Sequence, residues 1–205
     1  LDSFLKFLEL GLYHVANFKS YDHLLFLVVL TVPYLFKDWK RLLLLISLFT
    51  LGHTLSLLLG VYDIINLRGN VIEWLIPFTI IITALYNVFT AGKSSKNSNP
   101  IVIFSTVLFF GFIHGLGFAN AFESLVATNE STLLSILEFA LGIEIGQFLI
   151  VFCVLFFGFL GQTIFRLSAR DWVMVLSAVV IPLGALLAII SSCGDIPIGS
   201  NLKLS

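Results

Sequence analysis

The stretch GLYHVANFKSYDHLLFL, residues 11–27, places three potential metal ligands at the junction of two apolar segments. These side chains are His14, Asp22 and His23. An ionisable group beside hydrocarbon is costly, so its default interpretation is functional, with a partner elsewhere in the chain. Those partners have to come from residues further along the chain.

The composition is that of an integral membrane protein. Of the 205 residues, 59% are hydrophobic and 11% charged, and the mean hydropathy is +1.06. A soluble domain usually carries about 25% charged residues. The formal net charge of −1 argues against nucleic acid as a partner and leaves membrane lipids as the expected surroundings.

Apolar segments long enough to span a bilayer, about 20 residues as a helix, recur along the whole chain. We predict an all-α membrane protein that forms one polytopic domain over residues 1–205. Segment 2–18 carries a polar stripe and either spans or lies in the interface; we expect it to span. The result is a bundle of six to seven transmembrane helices, near 2–18, 21–36, 41–60, 71–91, 101–119, 133–159 and 172–191.

Lysine and arginine in the short loops predict the orientation, because cytoplasmic loops carry the excess. The breaks at 37–41, 92–100 and 161–171 hold seven of these residues, and the alternate set holds Lys19, Arg68 and Lys203. We therefore expect the first set in the cytoplasm. The junction at 19–21, the loops at 61–70 and 120–132 and the C-terminus are then expected to be extracytoplasmic.

With this orientation, all four histidines and three carboxylates fall in the outer half of the membrane. Histidines that served only packing would not share one depth. Asp22 and Glu73 have a second interpretation, as anions near helix N-termini, and Asp22 could also hold His23 in place. Gln147, three residues after Glu144, is expected either to orient that carboxylate or to contact the substrate. The predicted metal ligands are His14, Asp22, His23, His53, Glu73, His114 and Glu144.

Two glycine pairs flank predicted ligands. Gly111 and Gly115 surround His114, and Gly142 and Gly146 surround Glu144. Small residues four apart let two helix backbones approach closely. We predict that the two glycine faces bring His114 and Glu144 together.

Imidazole and carboxylate together suit divalent nickel, zinc, cobalt, iron or manganese. Copper(I) would require thioether or thiolate donors, and the sole methionine, Met174, lies in the last apolar segment. Calcium prefers oxygen donors alone. We expect a divalent transition-metal ion, nickel, cobalt or zinc.

Five segments together resemble the HupE/UreJ family, membrane proteins associated with hydrogenase and urease accessory genes, in its compact Bacteroidetes-type branch. They are LGLYHVANFKSYDHLLFLVVL, DWKRLLLLISLFTLGHTLSL, IEWLIPFTIIITALYN, FGFIHGLGFANAF and FALGIEIGQFLIV. The resemblance implies a multi-pass protein of the bacterial inner membrane that admits nickel or cobalt. It also implies that the motif histidines and acids are the ligands.

Two functions from different classes remain. The first is transport of a divalent transition metal through a His/carboxylate site in the outer half of the bundle, with Glu144 passing the ion inward. The second is an intramembrane zinc enzyme, a hydrolase or transferase acting on a lipid or lipid-linked substrate. In that enzyme Glu144 or Glu73 would be the general base. The resemblance favours transport, and the sequence leaves association into a homo-oligomer open.

Overall fold

The apolar runs of the sequence form helices that end at charged or proline-containing breaks. The computed structural model describes residues 2–17, 20–65, 69–92, 100–126 and 131–193. Within them the protein is all-α, which confirms the predicted class. A short 3-10 turn, Phe36–Asp38, precedes the third helix. The helices are α1 Asp2–Ala16, α2 Tyr21–Thr31, α3 Trp39–Val61, α4 Gly69–Thr90, α5 Pro100–Leu116, α6 Ala119–Leu125, α7 Thr132–Thr163 and α8 Ala169–Cys193.

Four helices are long and apolar enough to span a membrane: α3, α4, α7 and α8. A fifth span arises if α5 and α6, which meet at a bend of 52°, count as one. Helix α6 lies where the sequence predicted a loop. Helix α2 ends at Thr31, five residues before its predicted end, because Pro33 has no N–H for the next helical hydrogen bond.

Helix α1 runs parallel to α7. The backbone of Leu8 lies against Gly142, and that of Leu12 lies against Gly146. Helix α7 is antiparallel to α3, since Phe139 contacts His53 near one end and Phe159 contacts Phe36 near the other. We call the end of the bundle where α3 terminates the outer end, following the predicted orientation, and the opposite end the inner end.

Helix α2 runs in the same direction as α1. Its first turn lies at the outer part of α3, where His23 meets His53. Its last turns lie at the inner part of α4, where Asn87 donates to the carbonyl of Val29 at 2.6 Å. The sequence analysis expected segments 2–18 and 21–36 to span in opposite directions from an outer junction, and that expectation is wrong because α1 and α2 run in the same direction. Helices α1 and α2, about 22 and 16 Å long, follow one another inward, the first ending at Ala16 and the second beginning at Tyr21.

Two parallel helix pairs, α1–α7 and α3–α5, form the centre of the bundle, and α4 pairs with α8 beside them. Each parallel pair crosses where glycine backbones touch. A Cβ added to Gly52 would collide with the backbone of Leu108, and one added to Gly111 would collide with that of Phe49. The glycine faces of α5 and α7 thus pack on α3 and α1, and the predicted contact between them is wrong.

The basic residues predicted to be cytoplasmic lie at the inner end wherever the structure describes them: Lys37, Lys40, Arg41, Arg166 and Arg170. Lys19, Arg68, Lys93, Lys96 and Lys203 fall outside the described residues. The orientation relative to the membrane stays a prediction.

Candidate metal centre

All four histidines meet in the interior of the bundle, and each comes from a different helix. His14 lies in the last turn of α1, His23 in the first turn of α2, His53 within α3 and His114 in the last turn of α5. None is more than 4% exposed. The histidines were expected to lie together, and in the structure their rings are neighbours.

The imidazole rings are close enough to share one ion. Ring centroids lie 4.7 Å apart for His14 and His23, and 5.3 Å apart for His23 and His114. His53 lies 5.6 Å from His14 and 5.9 Å from His23. One ring nitrogen from each of His14, His23 and His53 falls within 4.8 Å of the other two, which makes these three the core of a candidate metal site.

Two of the rings are oriented by hydrogen bonds at Nδ1. His114 Nδ1 lies 2.7 Å from the carbonyl oxygen of Phe110, and His23 Nδ1 lies 3.2 Å from Asp22 Oδ1. A carbonyl or a carboxylate only accepts, so the ring proton sits on Nδ1 and leaves the Nε2 lone pair free. Metal-binding histidines are usually held in this way. Asp22 therefore occupies the supporting position for His23.

Five of the six remaining ring nitrogens are buried and have no hydrogen-bond partner. This holds for Nε2 of His14, His23 and His114 and for both nitrogens of His53. A buried polar atom without a partner costs about 1–3 kcal/mol, and native proteins keep few of them. Unpaired nitrogens in the three rings that lie within reach of one ion, those of His14, His23 and His53, fit a divalent cation that accepts imidazole donors.

Phenylalanine rings enclose the histidines. Phe118 lies 4.3 Å and Phe139 5.4 Å from His14, centroid to centroid. Phe49 lies 5.1 Å and Phe26 5.4 Å from His114. This apolar shell excludes water and lowers the local dielectric, which strengthens the attraction between a cation and the ring nitrogens.

The glycine crossing of α3 and α5 sets the position of two ligands. Gly52 precedes His53, and Gly115 follows His114. Gly115 faces the carbonyl of His53 so closely that a Cβ there would collide with it. The backbones of the two helices therefore fix how far apart His53 and His114 lie.

Glu144 and Gln147 lie on the seam between α3 and α7 rather than among the histidines. Ser47 donates a hydrogen bond to Glu144 Oε1. Thr50 donates to Gln147 Oε1 at 3.0 Å. The glycine partners of α7 explain this placement, because Gly142 and Gly146 turn toward α1 and Glu144 then turns toward α3.

Glu73 lies at the outer end of α4, half-buried in the wall of a cavity. Its neighbours there include Asp63, Gly117 and Asn120. Across the described ranges, His14, His23 and His53 are the group of three or more possible ligands within reach of one ion. Asp22 and His114 lie beside this group without belonging to it, and Glu73 and Glu144 lie away from it. Glu73 and Glu144 remain predicted ligands that the structure does not bring to the histidines.

Sequence reasoning overlooked Ser47 and the roles of Phe118 and Phe139. The available signal was helical spacing, because residues 47, 50 and 53 recur every three positions along one face of α3. For the two phenylalanines, a sequence containing 21 of them gives no comparable signal.

The fold and the site define a class: a multi-pass α-helical membrane protein with a buried histidine cluster that could hold a metal ion. A family model described as HupE / UreJ protein matches residues 1–191, and the chain belongs to this family. The family resemblance of the sequence is thereby confirmed. No curated protein and no solved structure gives a significant match.

Proposed function

We propose that this protein transports a divalent transition-metal ion of the nickel or cobalt type across the bacterial inner membrane. Membership of the HupE/UreJ family suggests a metal accessory or transport role. The observation that carries the proposal is the position of the histidine centre at the break between α1 and α2. Secondary transporters commonly bind their substrates where a membrane helix is interrupted near the middle of the bilayer.

The donor set fits this substrate. Three neutral imidazoles within reach of one ion, with the ring of His114 beside them, suit borderline metals such as nickel, cobalt and zinc. A single carboxylate, Asp22, lies against the set and offsets part of the charge of the ion. Histidine ligands exchange their ions more readily when few anions hold them, which suits a site that must release its cargo.

The candidate ligands lie on helices that are held in place in different ways. His53 and His114 lie on helices fixed to each other by backbone contact, whereas His14 and His23 lie on opposite sides of the break. A change of the angle between α1 and α2 would separate the two groups of ligands. In this proposal His14 and His23 open the site, and His53 and His114 hold the ion in place.

The zinc-enzyme alternative is supported less well. It requires a carboxylate near the ion as general base, within hydrogen-bond reach of the reacting water. Glu144, the first candidate, accepts its hydrogen bond from Ser47, and Glu73 lies in the outer cavity. Asp22 is adjacent, but it is engaged with His23.

The test is metal flux into proteoliposomes that contain a metal-sensitive dye, with Ni²⁺, Co²⁺ and Zn²⁺ supplied in turn. We expect flux with native protein and loss of flux with His53→Ala. Thr79→Val is the matched control, since Thr79 is buried on α4 and bonds only to its own helix. Tightly held zinc that does not exchange, together with no flux of any of the three ions, would reject transport and favour the enzyme.

A further inference from the structure

A second polar site lies beside the histidine centre, on the seam between α3 and α7. Four side chains form it in two pairs: Ser47 with Glu144, and Thr50 with Gln147. We infer that these residues bind a hard monovalent cation, Na⁺, which couples to the movement of the transition metal. The coupling rests on the proposed function, whereas the cation site can be tested by itself.

The chemistry of the donors selects the class of ion. Two hydroxyls, one amide carbonyl and one carboxylate present oxygen only. Oxygen donors suit hard cations, in contrast to the imidazole nitrogens nearby. The two sites therefore differ in which ion they prefer.

The charge of the site selects a monovalent ion. Glu144 is its one formal charge, and no Lys, Arg or His forms an ion pair with that carboxylate in the part of the chain that the structure describes. A carboxylate within the hydrocarbon region is costly unless a partner offsets its charge. One positive charge neutralises the site, whereas a divalent ion would leave it with an excess charge.

Gln147 supplies an independent sign that the site has a further partner. It is fully buried, its Oε1 accepts from Thr50, and its Nε2 has no partner. A buried amide satisfied at one end only is unusual. The Nε2 group only donates, so with Na⁺ between the two pairs the amide would rotate, turning Oε1 toward the ion and letting Nε2 donate to the hydroxyl oxygen of Thr50.

The distance between the two sites explains how they would communicate. Ser47 precedes His53 by six residues on one helix, about 9 Å along its axis. Two cations this close repel each other across a medium of low dielectric. Occupation of the seam by Na⁺ therefore weakens binding at the histidines, and the transition metal weakens Na⁺ binding by the same factor. Such mutual exclusion leads to exchange of the two ions.

The experiment measures thermal unfolding and divalent-metal affinity of the purified chain in NaCl and in choline chloride at equal ionic strength. We expect Na⁺ to raise the unfolding temperature and to lower Ni²⁺ affinity by about tenfold, within the usual range of such couplings. Glu144→Gln should remove both effects while still binding Ni²⁺. Glu138→Gln, the same change at a position of α7 that is buried where Glu144 is half-buried, should keep both.

If Glu144→Gln does not bind Ni²⁺, Ser47→Ala replaces it, because removing one hydroxyl leaves the carboxylate and the helix intact. Equal stability and equal affinity in the two salts would overturn the inference, as would coupling to pH alone. Absence of Ni²⁺ flux in native protein, with Glu144-dependent stabilisation by Na⁺ retained, would reject the transport function and leave the cation site standing.

Discussion

The four histidines fall into two pairs that are supported in opposite ways. His53 and His114 lie on the continuous helices α3 and α5, which touch backbone to backbone at Gly52 and Gly111. His14 and His23 lie on either side of the break between α1 and α2. We call the first pair, His53 and His114, the fixed half of the proposed site and the second pair, His14 and His23, its adjustable half. A site built wholly of the first kind would hold an ion without a means of release.

The largest effect is expected from removing a ligand of the fixed half. His53→Ala deletes the ring that approaches both His14 and His23, so metal affinity should fall by about a hundredfold or more, above the usual cost of losing a supporting partner. Isothermal titration with Ni²⁺ measures this change. An affinity within twofold of native would remove His53 from the ligand set.

The next effect tests the support of the adjustable half. Asp22→Asn keeps the size of the side chain but weakens the hydrogen bond that holds His23, so affinity should fall by about 10- to 100-fold. The same titration measures it, with Asn87→Ala as a buried polar control at the inner end of α4. An unchanged affinity for Asp22→Asn would show that the His23 ring is oriented by packing alone.

A smaller effect should distinguish the two glycine crossings. Gly111→Ala forces α3 and α5 apart, which costs about 1–3 kcal/mol of stability and misplaces His114. Gly142→Ala has a similar steric cost between α1 and α7, but the break lets His14 readjust. We therefore expect similar losses of stability and a greater loss of metal affinity for Gly111→Ala.

Gly69→Ala is the control for both glycine substitutions, because nothing lies within 4 Å of the added Cβ. Thermal unfolding and titration of the three variants make the comparison. Equal losses of affinity at Gly111 and Gly142 would mean that the first two helices are as rigid as α3 and α5.

The smallest effect concerns motion. Metal binding should slow hydrogen exchange of the backbone amides at residues 20–24, next to the break, because it joins α1 to α2 through their histidines. Exchange within residues 49–55 of α3 should change little, since that helix is already held by α5. Exchange followed by mass spectrometry in the presence and absence of Ni²⁺ compares the two segments. Uniform slowing in both would argue against an adjustable half.

The long helices could be predicted because continuous apolar runs end at charged residues. Helices α3 and α4 begin two residues before their predicted starts, while α7 continues to Thr163, four residues past its predicted end. Helix α6 was missed because its sequence, ANAFESL, is short and partly polar. The direction of α1 relative to α2 could not be predicted. A polar break between two helices that follow one another inside a bundle has the same composition as a surface loop between two antiparallel helices.

Depth along the helices predicted that the histidines would share one level, and the structure brings their rings together, but depth did not separate the carboxylates from one another. Depth along a helix follows from residue count, whereas the face that a residue occupies depends on the neighbouring helix. Glu144 turns toward Ser47 because the glycines of α7 select α1 as their partner, and no local pattern specifies that choice. Gln147, three residues further along α7, faces α3 for the same reason.

The backbone contact between α3 and α5 has a consequence for selectivity among ions. With no side chain between the helices at Gly111, the spacing of His53 and His114 cannot be tuned by exchanging one packing residue for a slightly larger or smaller one. A homologue that prefers another metal would have to replace a ligand or its hydrogen-bond partner. Variation in ion preference should accordingly be found at the imidazoles, Asp22 and the first turn of α2, and not at the glycines.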